Sequence, residues 1–394
     1  MKTKTITHNR LYHPSHFKRV VLDNLSITGK EISHKNSLTC TFDWIHQSFK
    51  VTPDNGSSAG YSFNRGWLGS YPETTGYLIP TLIEYAQYKD EQEWSQLALK
   101  AADWLIDIQY SEGGWQGLQV DKQCDQRIFN TAMIIDGLIA AYKFSNNQKY
   151  LESAFKAVRW SISKLDENGY YSENNIVDGG AFDTLVNACL LMAIQYMPID
   201  EKEKNSAIVT KSLDAHLNLQ NPNGTFKRCS FDNDNKCLLH HLGYTLDGLM
   251  ISYAILKDEK YYRSAKKTAD KLLSKFEVKL ELPALTNSDW TTHFDLGDTK
   301  ASLCLTGYSQ IAIVFQKIYR KENDARFLNA ALKIIDIVAS ISNYRSNNKG
   351  MSNGVPGSFP INGIYHQYEF VNWAAKYHAE SILLSFNQEI AKIR

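Results

Sequence analysis

No stretch of this chain approaches the ~18 consecutive apolar residues that a helix needs to cross a bilayer, and no apolar core follows the charged amino-terminal residues Met1–Arg10. A cytoplasmic protein is the expectation. Cysteine is sparse: the six, at 40, 124, 189, 229, 237 and 304, form no CxxC pair and no tight Cys/His cluster, so neither a zinc site nor a redox motif is expected. Excess charge of one sign is also missing. Lys+Arg numbers 43 against Asp+Glu 42, which excludes the basic footprint of a nucleic-acid binder. No cofactor is implied, and self-association into a homo-oligomer is left open.

Aromatic residues, by contrast, are plentiful, with 22 Tyr and 8 Trp. They serve a core, and beside polar neighbours they also suit sugar rings, whose C–H faces pack on aromatic planes.

The organising stretch is Tyr71-Pro-Glu-Thr-Thr-Gly-Tyr-Leu-Ile-Pro80. Variants recur near Phe129, Phe182, His240, Cys304 and Phe370, at steps of roughly 53 to 66 residues, as expected of a supersecondary unit with variable loops. Each copy begins a segment that is apolar nearly all round. Between the copies lie amphipathic segments, starting near Trp94, Tyr150, Asp200, Tyr261 and Phe327, with a first one over Ser37–Phe49. A helix apolar on every side is buried and an amphipathic one lies outside it, so the alternation predicts six inner and six outer helices. An all-α (α/α)6 toroid over residues 36–394, preceded by an irregular arm over 1–35, is the expected architecture.

Gly-plus-aromatic turns at Ser111–Gln116, Glu167–Glu173 and Asn221–Arg228 predict short β-hairpins leading into the next inner helix. Inner helices of a ring all run the same way, so the polar residues at their starts converge on one funnel. There the catalytic candidates are Asp183, Glu73, His241 and Tyr244, and the substrate-binding ones Tyr61, Arg65, Trp67, Tyr77, Trp115, Arg127, Asn130, Asn187, His240, Trp290, Gln310, Glu369, Asn372 and Trp373. Asp298 belongs to the same rim. For any single Asp, Thr or Asn among these starts, helix capping is the competing reading. Asp183 and Asn187, at i and i+4, share a face, and a carboxyl desolvated by Phe182 would hold its proton near neutral pH. Glu73 is the second carboxyl, with complementing the helix dipole as its alternative. His240 and Tyr244 also share a face and suit proton transfer at a carbon next to a carboxylate.

The alternation over residues 36–390 resembles the six-hairpin glycosidase-like superfamily. Phe182-Asp183-Thr184-Leu185-Val186-Asn187 is similar to the Asp-x-x-x-Asn helix start of unsaturated glucuronyl hydrolases, in which the Asp is the general acid/base. The resemblance implies an (α/α)6 barrel with its site at one end, and it carries the acid/base role to Asp183. Where those hydrolases have a second Asp on an earlier inner helix this chain has Asn130, which leaves Glu73 as the substitute. Pro72–Tyr77 and Asn372–Lys376 are similar to segments of bacterial polysaccharide-locus proteins. Gly-Gly-Trp115 resembles terpene cyclases, but the only Asp-rich run, Asp232–Asn235, falls in a predicted hairpin. The expected activity is glycoside-hydrolase-type cleavage of an acidic or N-acetylated glycan. The alternatives are a polysaccharide lyase or a sugar or uronate epimerase using His and Tyr, and a glycan-binding scaffold without turnover.

Overall fold

The computed structural model describes residues 13–231, 235–292, 295 and 301–386. Asp298 and residues 232–234 of the Asp-rich run lie outside the described residues.

The arm is not irregular throughout. His13 and Pro14 start a helix, α1 (Pro14–Asn24), which lies outside the ring. Arg19 and Asp23, one turn apart, form a buried ion pair at 2.8 Å; Arg19 also donates to the Ile341 carbonyl, and Asp23 accepts from the Ile361 amide. These partners tie α1 to the carboxy-terminal third of the chain.

Six outer helices follow in alternation with six inner ones. The outer set is α2 (His34–Lys50), α4 (Gln92–Asp107), α6 (Gln148–Ile162), α8 (Ile199–Leu217), α10 (Glu259–Lys279) and α12 (Ala325–Ser342). The inner set is α3 (Pro72–Lys89), α5 (Ile128–Ser145), α7 (Asp183–Ile194), α9 (Leu239–Leu256), α11 (Leu305–Glu322) and α13 (Asn372–Phe386). Every residue of α7 is buried, as an all-round apolar helix requires. Each inner helix touches the inner helix before and after it, and α13 touches α3, which closes the ring.

Glycine sets two of these approaches. A Cβ on Gly137 of α5 would lie 2.2 Å from the Gly76 carbonyl oxygen of α3, and one on Gly248 of α9 would lie 2.3 Å from the Leu185 nitrogen of α7.

The two ends of the ring differ because their connections differ. Four inner helices end on a left-handed residue, Asp90, Asn146, Lys257 or Asn323, and the next residue already caps the outer helix. Asn147, Asp258 and Asp324 do so by accepting a first-turn amide with their side chains. These two-residue turns carry no strands, and a cavity of about 600 Å³ at that end is lined instead by the helices themselves, with Lys257, Tyr262 and Lys321 among its residues. The connections entering the inner helices are long, and they carry the short strands β1 (Gly60–Ser62), β2 (Gly66–Trp67), β3 (Lys236–Leu238), β4 (Leu285–Asn287), β5 (Leu303–Cys304), β6 (Ser358–Phe359) and β7 (Glu369–Val371). Single bridges at Leu165–Tyr171 and Gln220–Phe226 close two hairpins around the expected turns, and a third, Gln116–Gln126, follows the Ser111–Gln116 turn instead of enclosing it. β1 pairs antiparallel with β7 and so joins the first long loop to the last. Among the described residues no helix is long and apolar enough to cross a membrane.

Candidate active site

The starts of α3, α5, α9 and α13, with the loops before α5, α7, α9 and α13, enclose a cavity of about 440 Å³. Glu73 sits in the first turn of α3, placed there by Pro72, whose missing N–H costs nothing at that position. The Tyr71 hydroxyl donates to Glu73 Oε2 at 2.7 Å, and Asn130 Nδ2 stands 3.4 Å from the same hydroxyl. Burial pushes the Glu73 carboxyl up to about 7, against the smaller opposing effect of the Tyr71 hydrogen bond. Glu73 is the only carboxylate among the described lining residues.

The facing wall is α9. His240 Nδ1 lies 2.8 Å from Gln310 Oε1, which only accepts, so the ring proton is on Nδ1 and Nε2 keeps its lone pair. Burial holds the His240 imidazole well below its ordinary range, and neighbouring His241 adds to this; burial pushes His241 down to about 3. Both rings are therefore neutral in the folded protein. The Tyr244 ring lies 4.3 Å from that of His240, and its hydroxyl is held protonated by burial. Phe182 and Phe231 both pack on His241.

The loop before α13 supplies Tyr365 and His366, and α13 itself supplies Trp373, whose indole N–H donates to the Tyr365 hydroxyl at 2.9 Å. His366 takes a left-handed backbone conformation, φ 46°, and its Nδ1 lies 3.0 Å from Glu369 Oε2. Burial raises Glu369, but His366 and Arg65 together outweigh it and hold the carboxylate below its usual range. Arg127, the residue before α5, lines the opposite side with Phe129 and the Asn175–Ile176 pair.

Of the sequence candidates, Glu73, Arg127, Asn130, His240, His241, Tyr244 and Trp373 thus meet in one cavity, with Gln310 directly behind His240. The others do not line it. Asp183 is fully buried behind the wall, where Oδ2 accepts from Asn175 Nδ2 at 2.8 Å and lies 3.4 Å from His216 Nε2. Burial does raise its carboxyl, as the sequence suggested, yet it touches no open space of the funnel. Asn187 turns to the Tyr171 hydroxyl and Ser212. Asn372 fastens the segment before β1 to α3 through Ser57, the Ser58 carbonyl and Thr74. Trp115 and Trp290 are core residues, their indoles donating to the Leu105 and Asn223 carbonyls. Tyr77 is buried one turn below Glu73. Tyr61 bonds Asn348, Trp67 leans on Trp44 and Tyr61, and Arg65 with Glu369 forms a pair behind His366. The lining residues not singled out from sequence are chiefly Tyr71, Asn175, Phe231, Tyr365 and His366. Tyr71 is the first residue of the organising stretch itself.

No protein-family model matches the chain, and no curated protein matches its sequence. Solved structures do. A heparin-specific unsaturated glucuronyl hydrolase superposes with a TM-score of 0.69 at 13% identity, over 91% of this chain and 98% of that one. The unsaturated glucuronyl hydrolase of Streptococcus agalactiae gives 0.66 at 11%, over 93% and 95%. The chain has the (α/α)6 toroid fold of these structures. A third structure, a family-76 α-mannanase from Bacteroides thetaiotaomicron, gives 0.63 at 16% over 92% and 97%, so the likeness spans nearly the whole ring. At these identities it is a likeness of fold, and the chemistry rests on the residues above.

Proposed function

We propose that this protein is a carbohydrate-active enzyme that cleaves a glycosidic linkage of an acidic or N-acetylated glycan held in the funnel, with Glu73 as the group that gives and takes the proton. The observation that carries this reading is a carboxyl raised to about 7 inside a cavity lined with Tyr, Trp, His and Arg. Arg127 is the charged group suited to a substrate carboxylate, and Tyr365 and Trp373 offer ring faces.

Hydrolysis of a saturated glycoside uses two carboxyls, one as acid and one as nucleophile or base. A lone carboxyl suits a different substrate, a terminal unsaturated uronate. Protonated Glu73 would give its proton to the vinyl-ether carbon; water then adds to the cation, and the Glu73 carboxylate takes the proton that water releases. The hydrated ring opens and the linkage falls apart. Two of the structural neighbours bear the name unsaturated glucuronyl hydrolase, which fits this choice.

A second reading is favoured by one observation, the free Nε2 of neutral His240 beside the Tyr244 ring. That pair suits removal of a proton next to a carboxylate, as a lyase or uronate epimerase requires.

A panel of saturated and unsaturated acidic oligosaccharides, followed by ultraviolet absorbance and mass spectrometry, separates the readings. Hydration of an unsaturated uronate consumes the absorbing double bond and adds water, with loss of turnover in Glu73→Gln. A rise in absorbance from saturated glycans, surviving Glu73→Gln but lost in His240→Ala, would replace the first reading with the second. Tight binding with no turnover of any glycan leaves a binding scaffold.

A further inference from the structure

The hairpin that enters α5 separates two concavities. Cys124, on its second arm, lines the funnel and also a second cavity of about 300 Å³. This outer cavity is formed by Tyr110, Trp160, Gln123, Asp125 and Asn174, with Lys164 at its edge.

Its floor is fixed. Gln126 Oε1 accepts from the Gly114 amide at 3.0 Å, and Asn174 Nδ2 donates to the Gln126 carbonyl at 3.1 Å, which ties the hairpin to the loop before α7. Its polar heads face solvent. Among the described residues, no hydrogen bond reaches the Tyr110 hydroxyl, the Gln123 amide or the Asp125 carboxylate, although Tyr110 is 41% exposed beside them. An amide, a carboxylate and a phenol around an aromatic face, in a preformed hollow, match the hydroxyls and C–H face of a pyranose.

We infer that the outer cavity is a second sugar subsite, so that a glycan chain whose end lies in the funnel continues over Cys124 and rests on Tyr110. The inference depends on the funnel binding a glycan, as proposed above, and extends it from a terminal sugar to a chain.

The test is a ladder of di- to octasaccharides, cut from a panel of uronate- and N-acetylhexosamine-containing polysaccharides and titrated against wild type, Tyr110→Ala and Gln123→Ala by calorimetry. Both substitutions replace exposed side chains, Tyr110 in the turn after α4 and Gln123 in the hairpin. Affinity should rise with length once a chain outgrows the funnel. Each substitution should lower affinity for the long members by about tenfold and for the disaccharides by less than about twofold. Affinity independent of length, or an equal loss at all lengths, overturns the subsite and leaves the funnel reading intact. If wild type binds no member of any ladder, the glycan reading falls and the subsite falls with it.

Discussion

Asn175 Nδ2 donates to Asp183 Oδ2 at 2.8 Å, so a residue that lines the funnel is held by a carboxyl that never reaches it. Asp183 therefore acts on the site through the loop before α7. Asp183→Asn keeps an acceptor for Asn175 and should lower stability by about 1–3 kcal/mol, the usual penalty for disturbing a buried polar contact. Turnover should fall less than roughly tenfold. A loss of several orders of magnitude in kcat with unchanged melting temperature would restore Asp183 as the acid.

Glu73→Gln should do what Asp183→Asn does not. Removing the proton-transfer group should lower kcat by roughly 10²–10⁴-fold while circular dichroism stays native. Activity comparable to wild type on every substrate would remove Glu73 from the chemistry.

The pH profile follows from the same carboxyl. Its proton-bearing form exists below about 7, so kcat/KM should fall as pH rises through that value. Tyr71 donates to the carboxylate and so favours its charged form; Tyr71→Phe should move the falling limb to higher pH. The stability linkage has the matching sign. Folded Glu73 keeps its proton where the unfolded chain has lost it, so its contribution is greatest below about 4.5 and is lost as pH rises to about 7. Wild type should lose more melting temperature than Glu73→Gln between pH 5 and 7.5.

His378, in α13, gives the opposite slope. Burial pushes its imidazole down to about 3, and Nε2 lies 2.9 Å from Ser37 Oγ. The unfolded chain takes up a proton below about 6.5 that the folded ring refuses, so stability is lost as pH falls from there. At pH 4.5 this one ring costs about 2–3 kcal/mol. Urea unfolding of His378→Gln should show a correspondingly smaller difference between pH 7 and 4.5, and an unchanged difference would mean that the native ring is charged.

Gly137→Ala should destabilise without touching the cavity. Its methyl would meet the Gly76 carbonyl at 2.2 Å, and separating α3 from α5 to make room costs about 3 kcal/mol or more. The melting temperature should drop sharply, and a neutral result would show that the two helices are not packed as described.

The inner and outer helices were legible in the sequence because burial dictates composition: α7 is apolar on every side, and α6 and α10 carry their charges on one face. The end of the ring that holds the cavity was legible too, since the long Gly- and aromatic-rich loops all precede inner helices. Which polar residue faces the cavity was not. Asp183 and Glu73 both open an inner helix and both are buried, and only the path of the 173–181 loop decides that one is roofed over. Trp115 and Trp290 show the same limit. An indole beside a glycine turn serves a sugar or a core according to whether a backbone carbonyl waits for its N–H. His366 carries no periodic signal at all, since it sits in a loop on a left-handed backbone.

The pairing of β1 with β7 and the contact of α3 with α13 have a consequence for the newborn chain. The apolar flank of α3 leaves the ribosome some 280 residues before the helix that covers it. At usual rates of translation the interval is on the order of tens of seconds. Until α13 arrives, the growing arc has two sticky ends instead of none, which is the form of this molecule that a chaperone would recognise.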